Sequence, residues 1–194
     1  GALPHAPRIA MEVWDKRPDD WAEPLNAEFG DVYGDPIAWA KKCIGHGADA
    51  IMLTLASTDP NGDDASPESA AETVKRVAKA IEHPLIIWGS DNEKKNAEVL
   101  RKAAEAVDFR ELVLGPAFEG NYKAIGAGAI GYKHKVVASS PIDVNIAKQL
   151  NILLGNLGLK DDFLLIDPTT GGLGYGLEYT YSVIERARMA ALLQ

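Results

Sequence analysis

Six short runs of apolar residues alternate along the chain with stretches in which apolar residues recur at the spacing of an α-helix. The apolar runs lack the polar alternation of half-exposed strands, which indicates strands of a parallel sheet that are buried on both faces. This pattern predicts an α/β protein in which crossover helices cover the sheet. The predicted strands are residues 8–13, 49–55, 84–89, 111–115, 135–139 and 163–167, and the predicted helices are residues 36–46, 67–82, 92–106, 121–132, 143–157 and 178–193.

The even spacing of these units favours a β/α barrel over an open doubly wound sheet. A doubly wound nucleotide-binding sheet carries a glycine-rich phosphate loop after its first strand, and neither GxGxxG nor GxxxxGKS follows RIAMEV. A complete TIM-type (β/α)8 barrel has eight units in typically about 250 residues. We count six units in 194 residues. We therefore expect residues 1–194 to form a single barrel domain that lacks its last two strand–helix units.

The charge and the hydropathy pattern exclude two classes of partner. Lys and Arg number 20 against 28 Asp and Glu, so the formal net charge is -8, and no basic cluster is dense enough to neutralise a run of phosphates. The longest apolar runs, such as IMLTLA and FLLI, fall far short of the roughly 20 residues that cross a bilayer. We expect partners that are neither nucleic acid nor membrane.

The cysteine and histidine content predicts that this chain holds no metal. Cys43 is the single cysteine, so a disulfide, a zinc finger or an iron–sulfur cluster cannot be assembled from this chain alone. This makes the cytoplasm the expected location. The four histidines lack the i, i+4 pairing of a helical metal site; they are His5, His46, His83 and His134.

A glycine-rich loop, IDPTTGGLGYGLEYT, follows the last predicted strand. In a barrel, polar residues that follow the strands meet at one mouth, where the sites of this fold are built. The mouth is polar and acidic, which suits hydrogen bonds to amides, hydroxyls or a heterocycle edge better than a phosphate clamp. No Ser/His/Asp or Cys/His set stands out, so we assign no catalytic residue. The candidate ligand-contacting residues are Ser139, Ser140, Asp143, Asn145, Asp167, Thr169, Thr170, Gly171 and Gly172.

Each candidate also has a purely structural interpretation. Asp143 precedes VNIAKQLNILL and is a ready helix N-cap, as Ser66 is for another helix. Gly171 and Gly172 could serve only the geometry of a tight strand-to-helix turn. The sequence leaves both interpretations of the loop open.

Several long motifs resemble one family over nearly the whole chain. They are Asp35-Pro36 with Trp39-Ala40-Lys41, "SPIDVNIAKQLN" at 140–151, "DPTTGGLGYGLEYTYSVIERAR" at 167–188, "MEVWDKRP" at 11–18 and "NYKAIGAGAIGYKH" at 121–134. They resemble the small subunit of corrinoid iron–sulfur proteins. In methanogenic archaea this subunit is the delta subunit of the acetyl-CoA decarbonylase/synthase complex.

The resemblance implies a β/α barrel related to pterin-binding methyltransferases. It implies a heterodimer with a larger subunit that carries the iron–sulfur cluster and most of the corrinoid site. The small subunit would help to enclose the corrinoid at the interface, with the candidate residues contacting the cofactor. The pair would shuttle a methyl group between a tetrahydropterin methyltransferase system and the nickel centre that joins methyl, CO and CoA.

An alternative within the same superfamily is a stand-alone pterin-dependent methyltransferase. Asp143 and Asn145, or Asp167, could occupy the places of the pterin-binding acid and asparagine of that superfamily. A shared fold without present pterin binding is the interpretation that we prefer.

Overall fold

The structure, a computed structural model, describes residues 6–193. Six parallel strands form one sheet whose spatial order is the order of the sequence, β1-β2-β3-β4-β5-β6. Neighbouring strands pair in parallel register, for example Val13 with Leu53 and Val136 with Leu164. The strands are β1 (Ala10–Trp14), β2 (Ala50–Thr54), β3 (Leu85–Trp88), β4 (Val113–Ala117), β5 (Lys135–Ser139) and β6 (Leu164–Asp167).

Within residues 6–193, seven α-helices connect and follow these strands. They are α1 (Glu23–Phe29), α2 (Pro36–Gly45), α3 (Pro67–Ala80), α4 (Glu93–Ala106), α5 (Tyr122–Tyr132), α6 (Val144–Asn156) and α7 (Leu177–Leu192). Short 3-10 turns lie at Ala56–Thr58 and Asp161–Phe163. No helix in residues 6–193 is both long and apolar enough to cross a bilayer.

The sequential strand order identifies the barrel class. A doubly wound sheet reverses its strand order at a switch point, as in 3-2-1-4-5-6, and this sheet has no such reversal. The prediction of a TIM-type barrel with six strand–helix units is therefore confirmed. The carboxyl ends of all six strands meet at one mouth.

The helix starts follow from capping side chains that the sequence already marked. The Asp35 carboxylate accepts the backbone N–H groups of Ile37 and Ala38, with Pro36 at the first helical position. The Ser66 hydroxyl accepts the N–H of Ser69 at 3.2 Å in the same way.

The end of α6 is fixed by Gly158, which adopts a φ of 102°. Its N–H donates to the Gly155 carbonyl at 2.9 Å, and the N–H of Leu159 donates to the Leu154 carbonyl at 3.2 Å. This pair of bonds is a Schellman motif, which favours glycine at the left-handed position.

The core lies between the sheet and its helices. Alternate residues of β2 and β3, such as Ile51, Leu53 and Ile87, are fully buried. They pack with apolar residues of the covering helices such as Val74 and Leu100.

Two sequence predictions need correction. Helix α1 was not predicted, because its seven residues carry too few apolar positions to give a helical period. All six strands were predicted to be buried on both faces, yet Ala10 and Glu12 of β1 are exposed, and Leu165 and Ile166 of β6 are 39% and 46% exposed. Within the described residues β1 and β6 are the outer strands, and each pairs with one neighbour, β2 and β5 respectively. His5 lies outside the described residues.

Candidate functional site

The carboxyl ends of β5 and β6 bring Ser139 and Asp167 together. The Ser139 hydroxyl donates to Asp167 Oδ2 at 2.8 Å, and the backbone N–H of Thr169 donates to Asp167 Oδ1 at 3.0 Å. The N–H of Ser140 also donates to the Asp167 carbonyl at 3.0 Å. Both carboxylate oxygens of Asp167 are therefore engaged within the mouth itself.

Thr170 fastens the loop after β6 to two other segments. Its Oγ1 accepts the backbone N–H of Ile142 at 3.0 Å and donates to the Pro168 carbonyl at 3.4 Å. Its own N–H donates to Thr180 Oγ1 at 2.9 Å. Thr180 lies in the first turn of α7 and is 8% exposed. The β5–α6 turn, the β6–α7 loop and α7 are thus joined through one residue, Thr170, by its side chain to Ile142 and by its backbone N–H to Thr180.

The two adjacent glycines of the loop differ in their surroundings. A Cβ added to Gly171 would lie 2.0 Å from the Tyr175 carbonyl oxygen, so only glycine fits there. A Cβ added to Gly172 would meet no atom of the described chain within 4 Å. Gly171 therefore serves the turn, whereas the backbone at Gly172 is open to an approaching surface.

Asp143 and Asn145 lie at the start of α6, a few residues after Ser139. The Asp143 side chain bonds to Asn145. Asp143 Oδ1 accepts the Asn145 backbone N–H at 2.8 Å and the Asn145 side-chain amide at 3.1 Å. Asp143 is the N-cap of α6, as the sequence suggested. The Asn145 side chain is exposed.

Ser140 is the candidate with an unexplained polar atom. Its side chain is fully buried, and its hydroxyl has no hydrogen-bond partner among residues 6–193. Burying a hydroxyl without a partner costs free energy, so native structures seldom keep one without a reason.

A second polar cluster lies across the mouth, at β1 and β2. Glu12 Oε1 accepts the Trp14 indole N–H at 2.8 Å and the Thr54 hydroxyl at 2.7 Å. Asp15 accepts the backbone N–H of Ser57 at 2.9 Å and its hydroxyl. Burial raises the pKa of Asp15 above its ordinary 3.8, while the hydrogen bonds from Ser57 oppose the shift.

His134 and Cys43 are buried titratable side chains that serve the fold. His134 accepts the N–H of Leu112 on Nδ1 and faces the Ala104 carbonyl with Nε2, both at 3.1 Å. Burial lowers its pKa below the ordinary 6.5. Burial also raises the pKa of the Cys43 thiol to about 11, which keeps it protonated and unreactive. In the part of the chain that is described, no three His, Cys, Asp or Glu side chains group as metal ligands.

A large cleft lies at the opposite end of the sheet. It has a volume of about 670 Å³ and is bordered by Pro84, Phe109 and Arg110, near the amino ends of β3 and β4. The Arg110 guanidinium donates there to the carbonyls of Ala78 and His83, at 3.2 and 2.6 Å. This cleft is a structural feature of the barrel bottom, since sites in this fold lie at the other face.

Sequence reasoning missed two residues of the mouth. Thr180 falls inside the predicted last helix, and nothing in its spacing shows that it bonds back to the loop ten residues earlier. Ile142 adopts a φ of 70°, and nothing in the sequence predicts this conformation, because β-branched residues rarely adopt it. A long-range contact and a strained dihedral angle are visible only in three dimensions.

Two solved structures of other proteins share the fold. The tryptophan synthase alpha chain from Legionella pneumophila is 12% identical with a TM-score of 0.54, and covers 93% of this chain and 67% of its own. A methyltransferase from Methanosarcina mazei is 14% identical with a TM-score of 0.53, and covers 80% of this chain and 46% of its own. At such identities the likeness concerns the fold alone.

Three curated relatives share one name. Acetyl-CoA decarbonylase/synthase complex subunit delta from Archaeoglobus fulgidus is 38% identical over 192 residues, 97% of this chain and 42% of the relative. The subunits from Methanothermobacter thermautotrophicus and Methanosarcina mazei are each 37% identical. The alignments cover 97% and 98% of this chain, and 49% and 44% of those relatives. The chain thus spans less than half the length of these relatives.

A family model described as CO dehydrogenase/acetyl-CoA synthase delta subunit matches residues 2–194, nearly the whole chain. This match agrees with the motifs at the mouth, where "SPIDVNIAKQLN" and "DPTTGGLGYGLEYT" supply the β5 and β6 loops. The chain belongs to the CO dehydrogenase/acetyl-CoA synthase delta subunit family.

Proposed function

We propose that this chain is part of a non-catalytic partner subunit that helps to enclose and position a corrinoid. The partner is a larger subunit that carries the corrinoid and an iron–sulfur cluster, within the acetyl-CoA decarbonylase/synthase complex. The corrinoid would supply the methyl-carrying chemistry, between a tetrahydropterin and the nickel centre that forms acetyl-CoA. We propose the cytoplasm as the location of this complex.

The observation that carries the proposal is how the polar groups at the β5–β6 mouth are used. Both carboxylate oxygens of Asp167 accept hydrogen bonds, from Ser139 and Thr169. The Thr170 hydroxyl is bonded to Ile142 and Pro168. A general acid or base needs a carboxyl group within reach of a substrate proton. These groups are instead bonded to one another and form a fixed rim. Such a rim is better suited to shaping a binding site than to transferring protons.

The exposed part of the rim fits a large macrocycle with apolar faces and amide edges. Leu173 and Tyr175 are 85% and 90% exposed, and the backbone at Gly172 is open. The Thr169 side chain is exposed, and its hydroxyl has no hydrogen-bond partner within the described residues. Thr169 would bond an amide edge of a bound corrinoid, whereas the Ser140 hydroxyl is fully buried within this chain and does not reach the exposed rim.

We also propose that residues 1–194 contribute six units of a barrel that two further strand–helix units complete. The exposed apolar side chains of β6 and the relatives' roughly twofold greater length support this. A seventh strand would pair with the free edge of β6, and its unit would bury the exposed side chains of β6.

Co-purification tests the proposal. The full-length protein should bind the separately purified corrinoid-carrying subunit, and corrinoid absorbance should co-elute with the pair. The protein alone should be colourless and should retain corrinoid only weakly. A stoichiometric visible chromophore held tightly by the protein alone would count against the partner role.

One observation favours the alternative of a stand-alone pterin-dependent methyltransferase. The raised pKa of the half-buried Asp15 carboxyl is the kind of perturbation that catalytic acids show. Methyl transfer from a methyl-tetrahydropterin to free cobalamin separates the two. Turnover by the protein alone that Asp15→Asn abolishes would establish the alternative, and no turnover supports the partner role.

A further inference from the structure

The loop between β2 and α3 carries the one Asn–Gly pair of the sequence. Asn61 and Gly62 stand next to each other in this loop, and no other asparagine of the chain precedes a glycine. Both residues are exposed. Strand β2 lies between β1 and β3, so the exposure of this loop does not come from an unpaired strand.

An exposed Asn–Gly pair is open to spontaneous deamidation in water. The backbone nitrogen of Gly62 attacks Cγ of Asn61, and the new N–Cγ bond replaces the Cγ–Nδ2 bond. The side-chain nitrogen leaves as ammonia with the proton that the Gly62 nitrogen gives up. Water then opens the succinimide ring at either carbonyl, which yields aspartate or isoaspartate. Asparagine is a thermolabile residue, and glycine favours the reaction because no Cβ shields its nitrogen.

Asp59 engages both nitrogens that react. Its Oδ1 accepts the Asn61 side-chain amide at 3.2 Å and the Asn61 backbone N–H at 2.8 Å. Its carbonyl accepts the Gly62 N–H at 3.0 Å. The Asn61 amide is therefore held toward Asp59, and the Gly62 nitrogen keeps its proton in a turn bond. Both bonds must open before the nitrogen can attack.

The end of the loop that leads into α3 is fixed by further contacts. Lys16 Nζ lies 2.8 Å from Asp63 Oδ2, and Lys95 Nζ lies 2.7 Å from Asp64 Oδ1. The Asp64 N–H also donates to the Asp59 carbonyl at 3.0 Å. Opening of the Asn–Gly pair therefore depends on the bonds that Asp59 makes.

We propose that Asn61 is a site of spontaneous modification and that Asp59 sets its rate. Deamidation removes the amide donor and places a negative charge beside the Asp59 carboxylate, so attraction becomes repulsion. The isoaspartate product also lengthens the backbone by one carbon. Both products loosen the loop that Ser57 joins to Asp15 at the mouth. This inference goes beyond the proposed function and holds independently of it.

Peptide mapping with isoaspartate detection, after incubation of the full-length protein in mildly alkaline buffer, measures the rate at Asn61. The unaltered protein should react there, whereas the exposed Asn156, which precedes a leucine, should not. Asp59→Ala should react about threefold to tenfold faster, because two hydrogen bonds to Asn61 are lost. Asp59→Asn should stay close to the unaltered rate, because its amide oxygen still accepts these bonds. It creates no new reactive pair, since Pro60 has no backbone N–H.

Gly62→Ala is the matched control for the chemistry. Within the described chain, an added Cβ meets the Asp59 carbonyl oxygen at 3.7 Å and the Asp59 Cβ at 4.0 Å, so the turn accepts alanine. This variant should lose the reaction at Asn61, because its Cβ obstructs the attacking nitrogen. All rates are compared below the melting temperature of each variant. The inference is wrong if neither product forms at position 61, or if Asp59→Ala and the unaltered protein react equally fast.

Discussion

Thr169 and Thr170 are adjacent hydroxyl residues with different surroundings. The Thr170 hydroxyl accepts from Ile142 and donates to the Pro168 carbonyl, whereas the Thr169 hydroxyl has no bonded partner in the described residues. Thr170 therefore stabilises the turn, whereas Thr169 is free to contact another molecule. The sequence alone could not distinguish the two.

Single valine substitutions test this division. Thr170→Val should destabilise the fold by about 0.5–1.5 kcal/mol through the lost hydrogen bonds, and Thr170→Ser should restore the stability. Thr169→Val should leave the melt unchanged and weaken association with the partner subunit by a similar free energy. Thermal melts and the heterodimer dissociation constant measure the two effects. Equal behaviour of the two valine variants would contradict the division.

His134 predicts a pH dependence of stability. Burial lowers its pKa in the folded chain below the ordinary 6.5, so below about pH 6.5 the unfolded state binds more protons than the folded state. Stability should therefore fall as the pH drops from 6.5 toward the lowered pKa. The slope contributed by one proton is at most about 1.4 kcal/mol per pH unit.

Denaturant unfolding between pH 7.5 and 5.5 measures this slope. His134→Gln should flatten it, because the variant lacks the titrating ring. His83→Gln, at a half-buried position near the start of β3, is the control and should keep the slope of the unaltered protein. An unchanged slope in His134→Gln would exclude His134 as its source.

Among the elements, α3 has an end that depends on a side chain from another segment. The Arg110 guanidinium donates to the carbonyls of Ala78, Ile81 and His83, where α3 ends and β3 begins. Orphan carbonyls at a helix end need partners, and the planar guanidinium supplies several donors at once.

Substituting Arg110 should therefore be costly. Arg110→Ala should lower the free energy of unfolding by about 2–3 kcal/mol, since hydrogen bonds to a charged group are lost and the carbonyls remain unpaired. Arg110→Lys should recover only part, because an ammonium group lacks the fork of donors. Arg101→Ala removes only an exposed pair with Glu105 at 3.8 Å and should stay within about 0.5 kcal/mol. A denaturation series with equal losses for both alanine variants would rule out this role for Arg110.

The sequence predicted the elements whose signals are local. The strands and the six longer helices were placed to within about two residues, because apolar period and N-caps such as Asp35 and Ser66 lie in adjacent residues. The exposure of β6 and the Thr170–Thr180 bond were not predicted. Both depend on which segments are neighbours in the folded structure. The apolar composition of a strand does not show whether the strand lies at the centre or at the edge of a sheet.

In the molecule as a whole, β1 and β6 are the two outer strands of the sheet in the described chain. Apolar cover also thins toward β6, since α7 buries only Thr180 and Val183. Its exposed apolar residues include Tyr181, Ile184 and Met189. Unpaired strand edges next to apolar surface favour association between chains.

We therefore expect residues 1–194 alone to self-associate, whereas the full-length protein should not do so through this edge. Ile166→Lys places a charge on the exposed face of β6, where Ile166 is 46% exposed. It should reduce the association without lowering the melting temperature, because a charge on an edge strand opposes pairing. Leu25→Lys is the control, as Leu25 is similarly exposed, at 42%, on α1. Sedimentation velocity over a concentration series measures the outcome. A monomer at every concentration, with a sharp cooperative melt, would show that the six units are self-sufficient and that the β6 edge needs no further strand.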